Sequence, residues 1–221
     1  MNKLNTLVII IGTGVILINF LIALMLLKKL NTYMKVFFVC IVIALLVSVN
    51  SIFGLFLPKY NLKICFFIQN ILFLLDLFFW GLFFLKVLRD KKSQRIMKVL
   101  FAITFSIAAF ILYINGMAKV NLQALAVINI CKTIFCILFY HHLFKIISIQ
   151  NLFKDPLFWI VTGVIFYSCL SLPFYGLNNY IKLQFPPLIA TNIFSISNML
   201  IIIKYLFFIK AFLCTINLRR V

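Results

Sequence analysis

The stretch NMLIIIKYLFF, residues 198–208, surrounds a single lysine, Lys204, with ten uncharged residues. Its apolar side chains form no stripe at helical spacing; they lie all round the axis, the pattern of a helix with no aqueous face. Working outward, the apolar run extends from about Ala190 to Phe212. A run of that length crosses about 30 Å of hydrocarbon at about 1.5 Å per residue. Six more runs precede it, at about Leu7–Leu27, Val36–Leu57, Ile64–Leu85, Val99–Met117, Leu122–Leu143 and Leu157–Leu177. The fourth, ending at Asn115-Gly116, is the shortest.

The composition agrees. Of 221 residues, 66% are hydrophobic and 11% are charged, against about 25% charged in soluble domains. Without water in the bilayer core, each backbone amide has to be satisfied inside its own helix. The expected fold is therefore an all-α integral membrane protein, a seven-transmembrane-helix bundle forming one polytopic domain over residues 1–221. The first run is expected to stay as a helix rather than serve as a signal peptide. It is too long for a signal h-region, and no small-residue cleavage site precedes Lys28-Lys29.

The chain has 21 Lys and Arg against 3 acidic residues, a net charge of +18. In a soluble protein that balance would point to nucleic acid. Here the cations sit in short loops beside helix ends, where they set orientation and meet anionic lipid. Sorting the loops alternately puts 14 basic residues on one side and 5 on the other, with Lys132 and Lys204 inside spans. The rule that cytoplasmic loops are positive places the N-terminus outside and the C-terminus in the cytoplasm. The densest basic stretch, LRDKKSQRIMK at residues 88–98, makes Lys91, Lys92, Arg95 and Lys98 the expected contacts with anionic headgroups. The expected location is the cytoplasmic (inner) membrane. Lipid and a membrane or cytoplasmic protein are the expected partners, and nucleic acid is not.

Reactive chemistry is sparse. The six cysteines form no CxxC pair and mostly lie in apolar runs, leaving Cys65, near a helix end, as the one to test for reactivity. HExxH, GxSxG and a Walker A loop are absent. Intramembrane aspartyl hydrolysis needs two carboxylates, and Asp76 is the only acidic residue within a span. His141-His142 ends the fifth span, and no third histidine exists to complete a haem or metal site. No catalytic residue, metal or cofactor is expected, and the protein is read as non-enzymatic.

The topology permits a parallel duplication, three helices plus one plus three, over residues 1–85 and 122–212. LPKY, residues 57–60, is echoed by LPFY, residues 172–175. FFIQNILFLLDLFFW, residues 66–80, aligns without gaps on FSISNMLIIIKYLFF, residues 194–208. Asn70 then meets Asn198, and Asp76 meets Lys204. A lone charge at mid-bilayer costs about 3 to more than 10 kcal/mol, so a partner is expected. Counted from the outer ends, Asp76 lies about twelve residues in, Lys204 about fourteen and Lys132 about nine, so depth at about 1.5 Å per residue favours Lys204, with Lys132 as rival. The candidate site is thus Asp76, Lys204, Lys132, Asn70 and Asn198, with the other in-span polar residues, such as Asn129 and Ser197, bonding between helices or lining a polar cavity.

A lysine in the last helix and an aspartate in the third resembles the retinal proteins, but Leu200 stands where they carry an aspartate one turn before the lysine. Sugar transporters of three-plus-one-plus-three topology carry a Pro-Gln motif that this chain lacks. DPLFWIVTGVIFYS, residues 155–168, resembles the sixth helix of a group of small bacterial seven-helix membrane proteins. The shared pattern falls on Pro156, Phe158, Trp159, Ile160, Gly163 and Tyr167. That group carries an acidic residue early in helices three and five; here Gln69-Asn70 stands in the third, and the fifth has none. The resemblance implies the fold and no activity. The functional expectation is a transporter-like or sensor-like bundle around a buried Asp–Lys pair. The alternative is an accessory subunit that docks a partner protein. A water-filled cavity reaching Asp76 favours the first, and a dry, packed core with an apolar outer groove favours the second.

Overall fold

The computed structural model describes residues 3–56, 61–88, 90–146 and 149–217, and these residues are all-helical apart from short connections. Seven helices are long and apolar enough to span a membrane: α1 (Lys3–Leu26), α2 (Thr32–Phe56), α3 (Leu62–Val87), α4 (Lys91–Asn115), α5 (Leu122–Ile146), α6 (Pro156–Gly176) and α8 (Pro187–Asn217). The protein is a multi-pass membrane protein by this architecture. The expected spans fall on these helices, and the short fourth run belongs to a helix of 25 residues. LPKY lies outside the described residues. The connection before α8, expected as a loop, holds a short helix, α7 (Asn178–Gln184). Its sequence NNYIKLQ is too short and polar to register as an apolar run.

Helix boundaries follow local chemistry. Asn61, Asp90 and Asp155 are N-caps, accepting backbone N–H groups that a helix start leaves unpaired. Asp155 takes the amide of Leu157, with Pro156 in the first turn. Asp90 accepts from Lys92 N, Ser93 N and Ser93 Oγ, and these bonds hold its carboxyl below the usual carboxylate range. Asp155 shifts the other way, because burial raises its carboxyl. At the far end of α4, Gly116 adopts φ +72°, a conformation that suits glycine, and the chain turns into α5.

Short connections make consecutive spans run up and down. The main contacts run from α3 through α2, α1, α8 and α6 to α5; α3 and α5 meet directly at Asp76–Lys132 and Phe84–Phe135, which closes a ring, and α4 packs against both of them. The half of the ring where α2 begins and α3 ends is filled with rings. Phe37, Trp80, Phe83, Phe84, Phe208 and Phe212 are buried there, and Phe37 packs edge-on to Phe208 at 4.9 Å between centroids. Edge-to-face aromatic contacts each add about 0.5–1.5 kcal/mol beyond their area. The opposite half has only a small cluster of Ala126, Tyr167, Tyr175 and Leu200.

Gly163 lets α6 lie close against α8. A Cβ there would lie 2.9 Å from Phe207 Cβ and 3.1 Å from the backbone oxygen of Lys204. Close approach through small residues is how membrane helices gain packing where no hydrophobic drive exists. We predict that Gly163→Ala lowers thermal stability in detergent by about 1–3 kcal/mol, the usual cost of overpacking. Gly14 on α1 has nothing within 4 Å of its added Cβ, so Gly14→Ala should be neutral or gain up to about 1 kcal/mol. Equal losses in the two variants would contradict the crossing.

Candidate functional site

The loosely filled half of the ring holds a half-open cavity of about 410 Å3. It extends from Val120, in the α4–α5 connection, to the middle of the bundle. Every ring helix contributes: Thr13 from α1, Ser48 and Ser51 from α2, Gln69 and Asp76 from α3, Asn129 and Lys132 from α5, Tyr167 and Tyr175 from α6, and Ser197, Asn198, Lys204 and Tyr205 from α8. Valine, isoleucine and phenylalanine side chains fill the intervals.

Asp76 forms its ion pair with Lys132, whose Nζ donates to Asp76 Oδ2. This corrects the expected pairing of Asp76 with Lys204. Depth along a helix says nothing about angle around the ring, and the ring sets α3 against α5. The side chains are 21% and 7% exposed respectively, so the pair is largely withdrawn from water. Lys132 Nζ also lies 6.0 Å from the Trp80 ring centre, at the edge of the aromatic half.

Lys204 lines the same cavity but has no hydrogen bond or ion pair among the described residues. Its Nζ lies 4.4 Å from the ring centre of Tyr167 and 4.7 Å from that of Tyr205. Aromatic faces attract a cation, by about 2 kcal/mol where water is excluded. They ease its burial without neutralising it.

The two aligned asparagines have different tasks. Asn70 does not line the cavity. Its Nδ2 donates to Lys119 O at 3.0 Å and its Oδ1 accepts from Asn121 N at 3.3 Å, so it pins the α4–α5 connection against α3. Asn198 does line the cavity and donates to Asn5 Oδ1 at 2.9 Å, joining α8 to α1. Lys91, Lys92, Arg95 and Lys98 are exposed on the first two turns of α4, far from the cavity.

Tyr167 and Tyr175 complete the wall without standing among the site residues expected above. Their hydroxyls meet at 2.9 Å, and Ser197 Oγ donates to Tyr175 Oη at 2.9 Å. The available signal is their spacing of eight, a little over two helical turns, which puts both on one face of α6. Asn129 Nδ2 donates to Ser171 Oγ at 3.0 Å, while its Oδ1 has no partner among the described residues. Cys65, expected as the reactive thiol, is buried, and its Sγ donates to Asn50 O. Cys169 is the one exposed cysteine among the described residues. Comparison with family models, with curated proteins and with solved structures finds no match.

The ion pair predicts a characteristic pattern of stabilities. Asp76→Asn or Lys132→Met alone leaves one charge buried and should cost about 3–5 kcal/mol, while the double variant should recover most of it. Thermal unfolding of the four proteins in detergent measures the coupling. Lys204→Met combined with Asp76→Asn should show a much smaller coupling; a larger one would restore Lys204 as the partner.

Proposed function

We propose that the protein is a binding bundle of the cytoplasmic membrane that handles a small polar molecule, as a transporter or sensor does. The carrying observation is the cavity that reaches Asp76, Lys132 and Lys204. A space of that size with hydroxyl, amide and charged walls is better understood as a ligand site, whose usual range is about 300–1,000 Å3. An accessory subunit using the ion pair only to set helix register has no need of such a space. No catalytic step is assigned to it.

The positive-inside bias supports a bundle with the N-terminus outside. In that orientation the cavity faces out, and the aromatic half closes the cytoplasmic side. The gapless alignment of residues 66–80 on 194–208 supports a three-plus-one-plus-three duplication. The resemblance of α6 to the small bacterial seven-helix group fits the same reading.

Labelling tests the one-sided cavity. In a Cys169→Ser background, the Ser48→Cys variant should react with a membrane-impermeant thiol reagent added to intact cells. A Phe208→Cys variant, placed in the aromatic half, should not. Reaction of the second, or reaction of the first only from the cytoplasmic side of inverted vesicles, would overturn the reading.

Lys91, Lys92, Arg95 and Lys98 are proposed to hold anionic lipid at the cytoplasmic face, at about 1 kcal/mol each. Native mass spectrometry should find anionic lipid retained over zwitterionic lipid, and the preference should fall when all four are replaced by Gln. An unchanged preference would remove the assignment.

A further inference from the structure

The proposed binding cavity holds more positive charge than the protein itself can balance. The chain contains 3 acidic residues, Asp76, Asp90 and Asp155. Asp90 and Asp155 cap α4 and α6 at the opposite end of the bundle. Asp76 is committed to Lys132. Lys204 therefore stands in the cavity with aromatic faces beside it and no carboxylate bonded to it among the described residues, the one nearby acid, Asp76, being paired with Lys132. A charge at this depth calls for compensation.

We infer that the cavity takes a small amphipathic monocarboxylate whose carboxylate supplies the counter-charge of Lys204. This inference rests on the cavity reading above and names its ligand class. One uncompensated cation calls for one negative charge; a dianion would only reverse the imbalance. A halide matches the charge but leaves most of the volume unfilled. Ile9, Ile43 and Val47 on one side and Phe73 on another offer an apolar surface for a hydrocarbon or aryl body. The ligand class is thus a carboxylate with an apolar body.

Four probes separate the contributions: 3-phenyllactate, its uncharged amide, phenyl phosphate, and sodium chloride at matched ionic strength. Binding to the full chain in lipid nanodiscs is read by thermal unfolding and by tryptophan fluorescence, with Trp80 close to the ion pair. The expected result is that phenyllactate raises the unfolding midpoint and the other three do not. Lys204→Met should weaken phenyllactate binding about tenfold or more, the scale of a lost charge-assisted hydrogen bond, while Lys204→Arg keeps it. Should Lys204→Met fail to fold, phenyllactate against its amide on the wild-type protein decides alone. Equal stabilisation by the amide, or a preference for phosphate or chloride, overturns the carboxylate assignment. So does silence of all four probes on a protein whose Ser48→Cys variant labels from outside, and in that case the cavity stands. If that labelling fails, the cavity and the assignment fall together.

Discussion

A single carboxylate lies within the spans of this bundle, facing two embedded lysines, and its choice between them organises the cavity. Asp76 on α3 takes Lys132 on α5, which ties the two halves of the chain together where these neighbouring helices meet. Low dielectric makes that attraction strong, and it also makes any unpaired neighbour costly. Lys204 is that neighbour. Its surroundings accordingly differ from those of Lys132: tyrosine faces instead of a carboxylate, on a stretch of α8 held against α6 by Gly163 and against α1 by the bond from Asn19 Nδ2 to Tyr205 O.

The two halves of the ring divide the work of packing and of polarity. Rings from α2, α3 and α8 interlock in one half, where no small shift of a single helix avoids disturbing several contacts. In the other half hydroxyls and amides bond one another, through Tyr167, Tyr175 and Ser197, and through Asn129 and Ser171. The charged residues lie where the halves meet. A movement that opened the aromatic half would pull on α3 and α8 together, and those helices carry Asp76 and Lys204. Charge at that junction and helix position are coupled by construction.

The seven spans were legible because uninterrupted apolar runs of membrane length have no other economical structure. The charged trio was legible because ionisable residues inside such runs are rare and expensive. The partnership was not. Asp76 and Lys204 stand at matching places in their helices, but the angle each helix presents to its neighbours depends on ring order, which no count of residues along one helix contains. Tyr167 and Tyr175 were obscured because tyrosine is common at membrane interfaces as well as in sites. The separate tasks of Asn70 and Asn198 emerge only once the α4–α5 connection and Asn5 are in place.

The outlying position of α4 has a consequence for how the chain is made. Asp76 and Lys132 are 56 residues apart, and all of α4 lies between them. A ribosome adding about 5–20 residues per second needs roughly 3–11 seconds to get from one to the other. Throughout that interval α3 has its acid and no lysine to meet it. Biosynthesis of this protein therefore contains a waiting period, most of it spent on α4 and its connections, and the helix that takes least part in the finished ring is the one that delays the meeting of the acid and its lysine.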